Sequence, residues 1–361
     1  LKHIVYILPY LGKAGTEKHV LSLAESWQQK YHISLLAPTG EGSRWFEKLP
    51  VAYYPFTGWD VNFFRGWREL VDQLKTINRD RTIDLIHVHA SHELMVPCRW
   101  KLPKVPIVFT CHTYHEPSNY RIAKFFVDRF ADAAIAVSTA DFKLLSGKSN
   151  SGKVTLIYNG VSAIARDPET VAAMKVKIFG DERDIVTIGT AARLESVKGI
   201  DYLLKALAIV AVTHPQVRLA VAGTGQLATS LQQSIRDLGI EDRANLVGYI
   251  EDVESFIAAL DIFVLPSLWE GLSLVIAEAM AREKPIIATD VGGTAEQIID
   301  GETGLLIPTK NAEEIAKKII SLLETPAMAT TLAASAKERY EALFSLDAML
   351  ANTAEVYNQF L

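Results

Sequence analysis

Two carboxylates, Glu270 and Glu278, flank a small-residue turn in the stretch LPSLWEGLSLVIAEAM, which runs from Leu265 to Met280. The apolar run Ile262 to Leu265 reads as a buried strand and Gly271 and Ser273 as the turn. Leu274, Val275, Ala277 and Met280 read as the buried face of the helix that follows. Such a turn leaves the backbone N–H groups of Gly271, Leu272 and Ser273 without intrahelical partners, and N–H groups so placed attract an anion. With Glu270 before the helix and Glu278 about two turns inside it, a rise of about 1.5 Å per residue sets the carboxylates roughly 10 Å apart. A ligand with hydroxyls at both ends and phosphates between them matches that pattern. The same spacing also occurs in an ordinary strand, turn and helix with a capping acid and one solvated glutamate.

Other loops carry related chemistry. Thr190 to Gly199, TAARLESVKG, follows a strand and places Arg193 and Lys198 around a turn, where two cations could converge on one diphosphate or simply face solvent. Val221 to Gly225, VAGTG, ends another strand with Gly223 and Gly225, either a tight turn or a place where backbone approaches a ligand closely. In the first half, FTCHTYH sets His112 just past an apolar strand, the bland alternative being a hydrogen-bonded loop histidine. IHVHASH holds His87, His89 and His92. His-x-His is a metal-ligand spacing, but no carboxylate or thiolate cluster accompanies it, so no metal is expected and the strand pair is read as serving a cleft directly.

A chain of 361 residues with 49% hydrophobic content has enough apolar material for two cores, and about 150 residues per domain gives two domains. No apolar run approaches the 18 or more residues of a membrane span. The apolar start, His3 to Leu8, is too short for a signal-peptide core and reads as a first buried strand. Cys98 and Cys111 are too few for a disulfide framework or a thiolate zinc site, which fits a reducing cytoplasm. The net charge of −5 divides unevenly, with +6 in residues 1–165 and −11 in residues 166–361. A basic first half is attracted to anionic surfaces such as lipid headgroups or phosphorylated acceptors; nothing in the pattern calls for nucleic acid.

Short apolar runs alternate with helix-length amphipathic segments in both halves. In the first half they are His3 to Leu8, Ile33 to Leu36, Leu85 to Val88, Ile107 to Thr110, Ala134 to Val137 and Val154 to Ile157. In the second they are Ile185 to Thr190, Arg218 to Ala222, Asn245 to Val247, Ile262 to Leu265, Pro285 to Ala288 and Gly304 to Ile307. Alternation of this kind predicts two doubly wound parallel sheets, whose ligands bind beyond the carboxyl ends of the strands. Tyr158 to Gly160 and the polar segment Ser162 to Thr170 read as the linker, giving domains 1–162 and 163–343. A last helical segment, 344–361, is left over and could pack on either domain, the first being one candidate. Phe63, Phe64, Trp67, Leu70, Val71 and Leu74 fit one helical face and read as core. The loop Thr57 to Asn62, the basic face of Arg65, Arg68 and Arg79, and the segment Tyr114 to Arg129 are candidates for peripheral contact with an anionic membrane, although charge runs are commonly only solvated faces.

In this order and spacing the motifs resemble the retaining glycosyltransferases of family 4. The resemblance covers almost the whole chain. It rests on Gly12, Gly15, Thr16 and Glu17 in the first loop, His112, the AVS of Ala136 to Ser138, YNGV, RL-x3-KG, VAGTG, LVGYI (Leu246 to Ile250) and the E-x7-E pair. It implies the GT-B fold, an α/β architecture of two facing Rossmann-like doubly wound parallel-sheet domains with an interdomain cleft. It further implies that Arg193, Lys198, Glu270 and Glu278 hold a nucleotide-sugar donor, with Glu278 on the ribose, Glu270 on the sugar hydroxyls and the two cations on the departing diphosphate. A helix starting near Leu272, with Gly271 and Ser273, would add its dipole to that charge. Val247, Tyr249 and Ile250 would pack on the base largely through backbone, which leaves the base open, a UDP-sugar first and a GDP-sugar next.

By the same resemblance His112 supports the transferred sugar, His89 and Tyr114 line the acceptor side, and no protein nucleophile is expected. The first loop departs from the commoner GGAE form, although Gly15 and Thr16 could still offer N–H groups at the start of a helix Glu17 to Gln29; the extra Lys13 is unexplained. The chain lacks a DxD motif, so transfer without metal or other cofactor is expected. The activity implied is transfer of a hexose to a hydroxyl of a lipid-linked glycan or glycolipid in cell-envelope synthesis, in the cytoplasm or at the inner face of its membrane. The alternatives are a catalytically idle nucleotide-sugar-binding subunit that needs a partner, and a phosphorylase or epimerase on the same plan.

Overall fold

Parallel strands covered by helices on both faces are largely apolar, and those of this chain are, with His87, Thr110 and Thr187 among the buried polar exceptions. A computed structural model describes residues 1–12, 15–113, 117–147, 152–164, 166–182 and 184–361. The chain divides into two units, Leu1–Asn159 with Met349–Leu361, and Gly160–Ala348.

In the first unit the strands are β1 (His3–Ile7), β2 (His32–Ala37), β3 (Ala52–Pro55), β4 (Leu85–His89), β5 (Ile107–Cys111), β6 (Ala133–Ala136) and β7 (Val154–Leu156). All pair in parallel, in the order β3-β2-β1-β4-β5-β6-β7. The second unit holds β8 (Val186–Ala191), β9 (Val217–Ala222), β10 (Ala244–Gly248), β11 (Ile262–Leu265), β12 (Ile286–Thr289) and β13 (Leu305–Ile307), also parallel, in the order β10-β9-β8-β11-β12-β13. Each sheet starts in its middle, grows to one side, then resumes on the other side of its first strand. The order therefore reverses between β1 and β4 and between β8 and β11. At those two places successive helices leave on opposite faces, and a crevice opens beyond the strand ends.

Three departures from the sequence reading have local causes. The strand β3 was not expected, because AYYP alternates weakly, lies at a sheet edge and has only half-buried tyrosines. Phe63 and Phe64 are not core: they are 46% and 85% exposed. The helix Trp59–Asp80 breaks at Asn62, whose φ of −159° and ψ of 104° are extended. Asn62 Oδ1 accepts from Arg65 N at 3.0 Å, so Asn62 caps a fresh helical start and turns the two phenylalanines outward. The stripe resumes with Leu70, Val71, Leu74 and Ile77, all buried. Lastly, part of the expected linker is helix, since Asp167 accepts from Thr170 N at 2.8 Å and opens Pro168–Phe179.

The helix Leu346–Asn358 ends in the first unit. There Tyr357 is fully buried, its ring 5.1 Å from that of Trp27 and its hydroxyl 2.5 Å from His87 Nδ1. No single helix among the described residues is long and apolar enough to cross a membrane. Tyr357→Ala should destabilise the first unit by about 3–5 kcal/mol, the usual cost of emptying a large aromatic site. Calorimetry should show a lowered transition for that unit beside a nearly unchanged second one; equal shifts in both would argue against the local role of Tyr357.

Candidate functional site

Alternation along β4 sends Ile86 and Val88 into the apolar core and His87 and His89 to the opposite face. On that face His87 is held from both sides, by Tyr357 and by Thr110 Oγ1, which lies 2.7 Å from Nε2. His89 Nδ1 lies 3.2 Å from His112 Nε2, just past β5, and the two rings stack at 5.5 Å. The residues after these histidines, Ala90 and Thr113, have positive φ values of 65° and 49°, a strained backbone for side chains of this kind. Thr113 Oγ1 donates to Asp141 Oδ2 at 2.8 Å, and Asp141 also takes the hydroxyl of Ser138 at 2.7 Å. The serine of AVS is thus an N-cap, accepting from Asp141 N at 3.0 Å, and together with Asp141 it fixes the loop that carries His112.

His19, from the helix Gly15–Trp27, completes the cluster, its ring centroid 4.9 Å from that of His112 and 5.5 Å from that of His89. It was not singled out in the sequence, where GTEKHV shows only a histidine on a helix. His19, His89 and His112 each present a nitrogen within 4.8 Å of the others, a grouping that would admit a tetrahedral ion. His92 lies apart, against Glu93 at 3.3 Å and Phe126. Burial pushes His19 down to about 4 and holds His87, His89 and His112 well below the ordinary imidazole range. The cluster is therefore uncharged at neutral pH. Tyr114 and Lys13 lie outside the described residues. Of the first loop, Gly12 N–H donates to Glu17 Oε1 at 2.6 Å, while Gly15 and Thr16 open the helix.

In the second unit the loops after β8 and β11 meet where the strand order reverses. Gly199, at φ 61°, is so close to the second loop that an added Cβ would sit 2.2 Å from Pro266 O; Leu268 N donates to Val197 O at 2.7 Å. This contact brings Lys198 Nζ to 2.7 Å from Glu270 Oε1, which also accepts from Ser267 Oγ at 2.6 Å. Both partners are mostly shielded, with side chains 18% and 8% exposed. Arg193 does not share that carboxylate. It is 70% exposed and pairs with Glu195 at 2.7 Å, so the convergence of two cations expected from their spacing is not present here.

The glycines of VAGTG serve the neighbouring chain: a Cβ on Gly223 would lie 1.9 Å from Ala192 O, and one on Gly225 2.4 Å from Leu194 O. Gly223 N donates to Gly248 O at 2.8 Å, which joins this loop to the strand of Val247; beyond it Tyr249 is exposed and Ile250 buried. The turn after Glu270 also differs from expectation. The helix runs Leu274–Ala281, and the Ser273 N–H is taken by Gln297 Oε1 at 2.9 Å, whose amide returns to Ser273 O. Of the three N–H groups expected to be free there, that of Ser273 is therefore taken, and the helix itself begins at Leu274. Glu278 is buried on this helix. Gly292 and Gly293 press on the turn from below, a Cβ on Gly292 falling 1.8 Å from Glu270 O. The glycine doublet after β12 is the sequence signal for this contact.

Residues 174–339 match the family model described as glycosyl transferases group 1, and residues 14–163 match that of glycosyltransferase family 4. A glycogen synthase of Mycobacterium tuberculosis is 30% identical over 79% of this chain and 71% of its own length. An uncharacterized glycosyltransferase of Haemophilus influenzae is 25% identical over 90% of this chain and 92% of its own. Among solved structures, Anabaena HepE in complex with UDP superposes with a TM-score of 0.84 at 22% identity, covering 99% of this chain and all of that one.

The buried imidazoles give a pH dependence of stability whose sign is fixed. Their folded pKa values lie below the ordinary 6.5, so below that pH the unfolded chain binds more protons than the native one. Stability should be highest above about pH 6.5 and fall as the pH drops toward 4, each such histidine contributing up to about 1.4 kcal/mol per pH unit. Denaturant titrations between pH 8 and 4.5 measure the slope, and His19→Gln should lower it by about one proton. A flat profile in the parent chain would mean the cluster is charged or solvated.

Proposed function

Because this chain belongs to the family-4 glycosyltransferases, we propose that it moves a hexose, with retention of configuration, from a nucleotide sugar to a hydroxyl of a glycan or glycolipid. The observation that carries the reading is the Lys198–Glu270 pair, held by Ser267 in the crevice where the second sheet reverses its strand order. A shielded ammonium beside the first turn of the helix Leu274–Ala281 is suited to take up negative charge as a nucleoside diphosphate departs. Glu270, a carboxylate with acceptor capacity beyond Lys198 and Ser267, suits sugar hydroxyls, and buried Glu278 the ribose. Arg193 would leave Glu195 to reach the diphosphate, and Val247 to Ile250 would pack on the base. HepE was solved with UDP and with UDP-glucose, which favours a UDP-sugar as donor.

In the first unit a neutral His112, with Nε2 engaged by His89, keeps Nδ1 for the transferred sugar. Depressed as it is, it acts as a hydrogen-bond partner and not as the base. The acceptor hydroxyl then attacks the anomeric carbon on the face the diphosphate leaves, the bond to the phosphate oxygen breaks, and the hydroxyl proton passes to that oxygen. No protein nucleophile and no metal takes part in this scheme. Exposed Val61 and Phe64 adjoin Arg65 in sequence, and exposed Phe125 lies one helical turn from Arg121; both favour peripheral contact with an anionic bilayer and hence a lipid-linked acceptor.

The decisive test is nucleotide release from UDP-, GDP- and ADP-sugars in chelator, read beside thermal stabilisation by the free nucleotides. UDP is expected to stabilise and its sugar to turn over without metal; dependence on added metal would overturn the metal-free scheme. His112→Ala should lower transfer at least a hundredfold while UDP stabilisation stays nearly unchanged, and near-normal turnover would remove the histidine from the mechanism. Flotation with vesicles of rising anionic lipid content should carry the protein upward, less so for Phe64→Ser with Phe125→Ser; indifference to lipid charge would dismiss the membrane contact.

A further inference from the structure

Two cavities adjoin in the first unit. The smaller, about 450 Å³, lies where the sheet reverses between β1 and β4, and its wall includes His112, Thr113, Ala90 and Trp59. The larger, about 940 Å³, continues beyond the ends of β2 and β3 along the helix Trp59–Asp80, with Pro38, Thr39, Glu41, Pro55, Asp72 and Gln73 in its wall. Pro9, Tyr10 and Asp60 belong to both. A space of this size suits a ligand larger than a single sugar ring. Its wall alternates proline faces with hydroxyls and carboxylates, a match for sugar rings, which are apolar on their C–H faces and hydroxylated at their edges.

The carboxylates in this wall are not equivalent. Glu69 is satisfied by Arg65 at 2.7 Å and by the N–H of Thr57 at 2.7 Å, and Asp72 has Lys75 at 2.8 Å. Asp60, at the junction of the cavities, makes no side-chain hydrogen bond or ion pair among the described residues. Beside it Trp59 stacks on Trp67 at 5.9 Å, and its indole N–H is buried without a protein partner. An uncompensated carboxylate beside an aromatic face favours neutral hydroxyls and repels phosphate or uronate.

We propose that the two cavities form one acceptor channel, that it takes an uncharged glycan of two or more sugars, and that Asp60 sets this preference at the junction. The inference rests on the transferase reading above and names its acceptor class. Among the described residues neither cavity has a Lys or Arg in its wall, so the charge of the channel is that of its carboxylates.

The test is a glycan array of matched uncharged, phosphorylated and uronate-bearing oligosaccharides, probed with the full chain saturated with UDP. Uncharged glycans of two or more sugars should bind at least tenfold better than their anionic counterparts. Asp60→Asn should weaken that binding roughly ten- to hundredfold, and Asp60→Lys should turn the preference toward anionic glycans. Asp60 is exposed, so both variants should keep the parent circular dichroism. Equal or stronger binding of anionic glycans, an unchanged profile in Asp60→Lys, or no glycan bound while UDP still raises Tm would each overturn the proposal. Failure of UDP to raise Tm in the parent chain would instead count against the donor reading, which rests on residues of the other unit.

Discussion

The rest of this structure depends on the reversal of strand order inside each parallel sheet. Helices on both faces demand largely apolar strands, so most polar chemistry is pushed toward the strand ends. At most strand ends the next helix closes over the sheet. Between β1 and β4, and between β8 and β11, successive helices leave on opposite sides, and the loops are free to meet one another across a gap. His112, with Ala90 and Pro9, borders the first gap; Lys198 and Glu270 meet in the second. The two units thus repeat one geometric solution with different side chains.

Their electrostatics differ accordingly. The second unit keeps a formal ion pair out of water, which is tolerable only because Ser267 and the neighbouring loop supply further hydrogen bonds and hold the geometry. The histidine cluster of the first unit avoids charge by holding buried imidazoles in their neutral form, bridged by Thr110, Tyr357 and each other. Neutral rings can take either tautomer, so one ring of the His89–His112 pair donates and the other accepts without placing a charge in the interior. A cation that can meet a diphosphate and a set of uncharged donors that can meet hydroxyls are complementary tools.

Much of this was legible in the chain. Continuous apolar runs marked the strands of the second sheet and those of the first except β3, whose edge position relaxes the demand for apolar residues. Motif spacing marked Lys198 and Glu270, but spacing could not show that Arg193 turns to Glu195, a choice made by side-chain geometry around one turn. Helical periodicity assigned Phe63 and Phe64 to the core because it assumes an unbroken helix, and Asn62 breaks it. The Ser273 N–H reads as free in the sequence because its partner, Gln297, lies 24 residues further along the chain. His19 was missed for a similar reason: nothing local distinguishes a helical histidine that will meet two others from one that faces solvent.

The first unit is discontinuous, and its final piece, Met349–Leu361, brings Tyr357 beneath His87 and beside Trp27. During synthesis the ribosome must therefore make the whole of the second unit before the first can close. At about 5–20 residues per second that interval is on the order of ten seconds or more, during which the surface later covered by Tyr357 stands open beside a nearly finished sheet. The order of folding is consequently inverted relative to the order of translation: the domain that emerges first is the last to be completed.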